Sequence, residues 1–445
     1  MVSTRYPAGI PVEQQATHRI SRQKRILAIV VVISFALDFK GAVGGSLIQF
    51  LMGGLNTAAF LVLAATCRMA LPRKGLGAFV FWGWVAFLVT GTLGAFVNVT
   101  PFDQYIRIVY PFTLLLEGFL VAWWTMRNSH DAITIVSAMM SAAVVSLFFT
   151  LAWGFYFTEQ GVEQIRYQIL SPLIPLLIVA TGYDLFFARR RRLWSLVLLV
   201  ITLGVIAISV TRGPLLVVGF VVVLVLLVTF RNALRTASLP RPLIQAVVLG
   251  SFVGVIGLTI AIVFNPEALG RWVHRGLGEA RNVTFWTRVA AILGQFQALN
   301  ANPLGWLTGQ GFGSSYPWLF SEFPWILPYL GETADTSAWF PGEFMWMPFL
   351  FYGGFIIGPI AALALIGGAV RGCRVLGALL MAQSWRLPEA RPLWIGVLGY
   401  FAFLGMGFTA NPFILRLAAL FMGLCLGLIV AQGGSALPSL VGRRC

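Results

Sequence analysis

The stretch RRRRLWSLVLLVITLGVIAISVTRGPLLVVGFVVVLVLLVTFRNALR, residues 189–235, decides the fold. Four arginines precede an apolar run, a short polar break at 211–214 interrupts it, and a second apolar run ends at Arg231 and Arg235. Each run is close to the ~20 residues that a helix needs to cross the hydrocarbon of a bilayer. A hairpin of two membrane helices has this form when Lys and Arg are held on the cytoplasmic side.

The same alternation runs along the whole chain of 445 residues, which is 58% hydrophobic and 10% charged. Soluble domains are nearer ~25% charged. The chain therefore reads as an all-α polytopic membrane protein, a single integral membrane domain over 1–445. About twelve transmembrane helices are expected, at roughly 26–38, 47–67, 77–97, 107–126, 132–155, 168–187, 193–210, 214–230, 243–264, 344–366, 392–410 and 413–431. In this register 22 of the 31 basic residues fall in cytoplasmic breaks, and shifting it by one span inverts the asymmetry. The N- and C-termini are both expected in the cytoplasm. Arg19, Arg22, Lys24 and Arg25 hold the first span, and no cleavable signal peptide is expected before it. Orientation also explains the net charge of +16. A nucleic-acid partner is not expected, because that needs basic residues gathered on one solvated face. Cys67, Cys373, Cys425 and Cys445 fall near or on the cytoplasmic side, where disulfides are not expected. His18, His130 and His274 are far apart in sequence, so neither a metal site nor a cofactor is expected.

One break differs from the rest. Residues 265–343 form a large extracytoplasmic loop between the ninth and tenth spans, and unstructured loops of that length are uncommon. Phe285, Val289, Ile292, Phe296 and Leu299 recur at helical spacing, with Arg281, Arg288 and Gln295 along one shoulder. That pattern predicts an amphipathic helix lying at the outer interface. Pro303 ends it, Gly309, Gly311 and Gly313 predict a tight turn, and Trp318, Phe320, Phe323, Trp325 and Tyr329 read as an interfacial aromatic layer.

The arginines on the outer side run against the positive-inside tendency, and they are the candidates for chemistry. Arg212, in Thr211-Arg212-Gly213-Pro214, is either a snorkelling anchor or an anion ligand at the start of span eight. Arg288 is either a solvated helix face or a second ligand. Arg166 and Arg107 stand just before spans six and four. Guanidinium forks suit phosphate oxygens, so a lipid-linked diphosphate fits this depth and charge. Among the outer carboxylates, Glu343 is the last charge before span ten, where burial would make it a useful base. Its plain reading is a carboxylate stabilised by a helix N-terminus. Glu117 lies inside span four and must face protein or a cavity, pairing with an arginine or marking a polar path. Asp184 is expected to pair with Arg189 or its neighbours.

At these residues the chain resembles the O-antigen ligase and polymerase superfamily of bacterial polysaccharide assembly. The resemblance covers roughly residues 105–358. It rests on Thr211-Arg212-Gly213-Pro214-Leu215-Leu216, Trp286-Thr287-Arg288, Asn302-Pro303-Leu304 through Gly309-Gln310-Gly311-Phe312-Gly313, and Tyr352-Gly353-Gly354-Phe355-Ile356-Ile357-Gly358. It implies a GT-C-like glycosyltransferase of the bacterial inner membrane, acting on an undecaprenyl-diphosphate-linked glycan without nucleotide sugar or metal. Arg212 and Arg288 would grip the diphosphate, assisted by Arg166 and Arg107. Chain-length regulator and export proteins are the partners it implies, beside membrane lipid. Ligases of the family carry a His-Asn pair just before span ten. Here the segment is Phe340-Pro341-Gly342-Glu343-Phe344, so Glu343 stands where the base is expected. That departure favours a polymerase joining repeat units, for O-antigen lipopolysaccharide or exopolysaccharide. The rivals are a ligase that moves finished glycan and a flippase. A flippase should line a central path with charge, whereas intramembrane charge is nearly limited to Glu117.

Overall fold

The computed structural model describes residues 20–38, 45–156, 169–188, 192–209, 213–236, 283–319, 321–323, 336–338, 340–384 and 387–433. These residues are mostly helical. The first five helices are α1 (Arg22–Ile33), α2 (Gly45–Thr66), α3 (Gly75–Val97), α4 (Phe102–Thr125) and α5 (Ser129–Tyr156). Next comes α6 (Ile174–Gly182), which continues as a π-helical turn over Tyr183–Phe187. It is followed by α7 (Arg192–Ser209), α8 (Gly213–Thr236), α9 (Val283–Ala301) and α10 (Pro303–Thr308). After a two-stranded ribbon come α11 (Met347–Met381), α12 (Arg391–Met406) and α13 (Arg416–Gln432). Seven of these helices are long and apolar enough to cross a membrane, as expected of a polytopic helical membrane protein. The ninth expected span, 243–264, lies outside the described residues.

Two helices make the centre. From Pro392 to Met406 every residue of α12 is buried, and α13 is buried continuously from Leu417 to Ile429. A helix apolar on all sides suits either a protein core or a membrane span, and here the neighbours of both helices are protein. Between α4 and α13 the backbones nearly touch: side chains begun at Gly118 and Gly423 would lie 2.2 Å from the Leu420 carbonyl oxygen and 2.0 Å from that of Leu115. Small residues allow this approach, and close van der Waals packing then holds two helices together where lipid removes the hydrophobic drive. By contrast α2 keeps Phe50, Leu51 and Leu55 exposed, which suits a lipid-facing position. Glu117 faces protein as expected, at 4% exposure. No ion pair reaches it among the described residues.

Among the described residues, four ion pairs between separate elements tie the ends of the bundle. Arg25 meets Asp131 at 2.9 Å and Arg391 meets Asp184 at 2.6 Å. Arg288 meets Glu343 at 2.9 Å, and Arg416 meets Asp38 at 3.4 Å. The charge pattern assigns both members of the first two pairs to one side and both members of the last two to the other. Paired side chains must share an end, so the alternation of the helices agrees with the register read from charge. Asp184 is held by Arg391, which donates to it through both Nε and Nη2; Arg189, Arg190 and Arg191, the expected partners, lie outside the described residues. A bidentate fork is the stronger arrangement, and it comes from 207 residues away, beyond the reach of local reading.

Two boundaries also move. α11 runs past 366 to Met381, because Arg371 and Arg374 are good helix formers and do not end it. It is interrupted earlier, at Gly354, where φ is 65°. The described part of the long loop is not wholly helical either. β1 (Tyr316–Trp318) pairs antiparallel with β2 (Thr336–Ala338), in the register Tyr316 opposite Ala338.

Candidate functional site

The predicted loop helix exists as α9, but its packed face is one step away from the apolar stripe. Ala290, Ala291, Gly294, Gln295 and Leu299 are the buried positions, while Phe285 is exposed and Val289, Ile292 and Phe296 are half-buried. The reason is the ribbon. At Gly294 an added side chain would start 1.7 Å from the Pro317 carbonyl oxygen, so β1 lies directly on the α9 backbone. Trp318 donates its indole N–H to the Thr287 carbonyl at 2.9 Å, and Phe323 stacks near Trp286 with centroids 5.0 Å apart. These two aromatics pack down on α9. Phe320, Trp325 and Tyr329 lie outside the described residues.

The glycine turn is built as its spacing predicts. Gly309, Gly311 and Gly313 have φ of 78°, 83° and 78°. The turn is clamped between the end of α3, the start of α4 and the start of α11. Gln310 N–H donates to the Phe351 carbonyl at 2.7 Å, Phe312 N–H to that of Gly91 at 2.9 Å, and Asn98 Nδ2 to that of Gln310 at 2.6 Å. Phe312 is fully buried, among Phe87, Phe112 and Tyr352. The kink at Gly354 meets the same turn, since a side chain there would start 2.5 Å from the Gly309 nitrogen.

This frame carries Arg288 on the second turn of α9. Its Nε donates to Glu343 Oε2 at 2.9 Å, and its Nη2 donates to the Thr409 carbonyl in the turn between α12 and α13. That turn also holds the segment bearing Glu343. Asn411 Nδ2 donates to the Gly342 carbonyl at 3.0 Å, and Met345 N–H donates to the Gly407 carbonyl at 3.2 Å. Gly342 takes φ 75°, which turns the chain so that Glu343 points at α9. The first residue of α8, Gly213, also faces this turn. A side chain there would start 3.3 Å from Thr409 Oγ1. Segments from three distant parts of the sequence therefore converge on the turn at 407–411.

Behind Glu343 the site is polar and dry. Gln295 and Tyr316 are each 1% exposed, and Gln295 Nε2 and Tyr316 Oη are buried without a well-formed hydrogen bond. Both face Gly342, 3.4 and 3.6 Å from where its side chain would begin. Burial pushes the Tyr316 phenol well above its ordinary pKa; Gln295 opposes the shift and the charge of Glu343 adds to it. The phenol is thus a neutral donor. Buried polar groups short of a hydrogen bond are rare, and each costs about 1–3 kcal/mol.

Of the residues singled out in the sequence, the structure brings together Arg288 and Glu343, which are 55 positions apart. Arg107 is exposed near the start of α4. Arg166 and Arg212 lie outside the described residues. Burial of Glu343 is a correction. Its side chain is 46% exposed and Arg288 is 26% exposed, because the carboxylate caps the cluster instead of entering it. An ion pair this open adds about 0–1 kcal/mol to stability. Thr409, Asn411 and Tyr316 carry no signal of their own in the sequence, and Gln295 stands out only as part of the shoulder beside Arg288. The one other signal was Asn411-Pro412, a turn dipeptide squeezed between two apolar runs.

No protein-family model and no curated protein sequence matches this chain.

Proposed function

We propose that the chain is a polysaccharide polymerase, joining undecaprenyl-diphosphate-linked oligosaccharide repeat units at the outer face of a bacterial inner membrane. In this reading twelve spans and cytoplasmic termini put the Arg288 cluster on the extracytoplasmic side. The observation that carries it is the Arg288–Glu343 pair. A cation and a carboxylate from different elements are anchored to the same turn, half open to the outside, with little to gain in stability from being there.

The chemistry asks for two functions. The bond between the anomeric carbon and the diphosphate oxygen breaks while a sugar hydroxyl of the second lipid-linked unit bonds to that carbon. The departing diphosphate needs cationic donors, and the attacking hydroxyl must lose a proton to a base. Arg288 is suited to the first role. Two of its nitrogens are engaged, by Glu343 and Thr409, which fixes the plane of the guanidinium; an incoming diphosphate would compete with Glu343 for it. Glu343 is suited to the second, since one oxygen holds Arg288 and the other takes the proton. Arg212 is one peptide bond from Gly213 and would supply the second fork, with Arg166 and Arg107 assisting. A single displacement of this kind inverts the anomeric carbon. The resemblance noted in the sequence supports the same assignment, as the motifs that carry it meet at the Gly309–Gly354 contact and around Thr409.

Glycan length in a strain lacking the gene tests the reading. A polymerase predicts single repeat units attached to their acceptor and no long chains. Long chains left on the carrier lipid would instead make the protein a ligase, and repeat units trapped on the cytoplasmic face would make it a flippase.

A further inference from the structure

At the end of the bundle opposite Arg288, a groove of about 690 Å³ opens between α3, the end of α4, α11 and α13. Its mouth carries Lys74, Arg371 and Arg374, and no carboxylate lines it among the described residues. Lys74 and Arg374 are exposed, whereas Arg371 is half-buried beside Gly433 at the C-terminal end of α13. Arg127 stands next to the groove, its guanidinium 4.7 Å from the centroid of the lining Trp123. The indole nitrogen of Trp123 is buried and has no hydrogen-bond partner among the described residues. Gly77 and Gly367 keep the floor low; a side chain at Gly367 would start 2.9 Å from Leu76 Cδ1.

The walls above this mouth are apolar and open. Leu363, Ile366 and Val370 lie on one face of α11 at 54%, 44% and 48% exposure, with Phe79 of α3 opposite at 42%. From Leu363 to Arg374 the helix rises about 16 Å. That is about half of a ~30 Å hydrocarbon core, which is the depth of one leaflet. A cluster of cations at one end and a leaflet-long apolar track at the other match the two halves of a phospholipid. Scattered basic residues that only orient a protein in the membrane need no groove and no track.

We propose that this groove binds an anionic phospholipid, with its phosphate between Lys74, Arg371 and Arg374 and an acyl chain along α11. Basic pockets between membrane helices on the cytoplasmic side commonly hold such head groups. The site is independent of the glycan reading: a protein that joins no sugars would still bind lipid here.

Thermal unfolding of the purified full-length protein in detergent tests it, with phosphatidylglycerol, phosphatidylcholine of the same chains, or inorganic phosphate added. Phosphatidylglycerol should raise the midpoint by about 2–5 °C over phosphatidylcholine, as expected for a ligand well above its dissociation constant. K74Q/R374Q should lose that preference and K74R/R374K should keep it. If the double glutamine variant does not fold, the exposed single change R374Q, read by native mass spectrometry, should retain fewer phosphatidylglycerol molecules than the wild type. Equal response to the two lipids, full response to inorganic phosphate alone, or an undiminished preference in the glutamine variants would each overturn the proposal.

Discussion

Arg288→Ala is expected to stop chain extension while leaving the protein in the membrane at its normal level. The two halves of this expectation have separate physical grounds. Arg288 and Glu343 are 26% and 46% exposed, so their pairing contributes about 0–1 kcal/mol, and α9 keeps the face that packs through Ala291, Gly294, Gln295 and Leu299. Losing a donor aimed at developing charge costs much more in rate, about 10²–10³-fold for one member of an oxyanion site. Arg288→Lys should fall between, because an ammonium supplies the charge but cannot hold Glu343, the Thr409 carbonyl and a phosphate oxygen in one plane. The ratio of long glycan to single repeat units, set against protein level in the same membranes, separates the outcomes. Normal chain length in the alanine variant would remove Arg288 from the mechanism.

The second large effect is structural. Gly311→Val should abolish folded protein, because two costs fall on one residue. The backbone at 311 has φ 83°, a conformation that costs a side-chain-bearing residue about 1–2 kcal/mol, and more when it is β-branched. The new Cβ would also lie 2.0 Å from the Ala95 nitrogen, with backbone of α3 on that side and nowhere to move. Overpacking of this kind adds about 1–3 kcal/mol, and the neighbouring bonds of Gln310 and Phe312 to Phe351 and Gly91 would go with it. Gly219→Ala on α8 is the control. Among the described residues nothing lies within 4 Å of the added carbon there, and alanine is the better helix former by about 0.5–1 kcal/mol. Gel filtration of detergent extracts should show a single sharp peak for the control and aggregate for Gly311→Val. A well-folded Gly311→Val protein would mean that the turn does not clamp α3 to α11.

How far the sequence could be read follows from which forces leave a mark on it. Helix existence was legible because crossing hydrocarbon sets a length, and α2, α3, α4, α5, α7 and α8 all appear where apolar runs of that length stand. Which charges share an end of the bundle was legible in part: Arg288 with Glu343 and Arg416 with Asp38 pair as the charge pattern grouped them. Which helices are central was not: lipid and protein interior are both apolar, so α12, wholly buried, reads no differently from α2 with Phe50 and Leu51 exposed. The π turn after α6 and the three-residue strands, one with Pro317 at its centre, leave no periodicity to detect. The fork from Arg391 to Asp184 was not legible, because its two members are 207 residues apart.

In the site, the charged members were visible and the neutral ones were not. Arg288 and Glu343 stood out as outer charges beside apolar runs. Thr409 acts through its backbone carbonyl, which carries no identity, and Asn411 looks like any turn residue. Gln295 was noticed only as part of a shoulder on α9. The shift of the packed face by one position, forced by β1 lying on Gly294, is what takes it inside next to Tyr316.

Everything functional in this account depends on Arg288 meeting the diphosphate of a lipid-linked glycan. The most direct measurement is a reaction of the purified protein in vesicles with an undecaprenyl-diphosphate-linked repeat unit, following free undecaprenyl diphosphate and glycan length together. The wild type should release one free diphosphate lipid for each new glycosidic bond, and Arg288→Ala should release almost none. Extension at the wild-type rate by the alanine variant would contradict the account, and so would a wild-type protein that binds both lipid-linked units yet forms no bond.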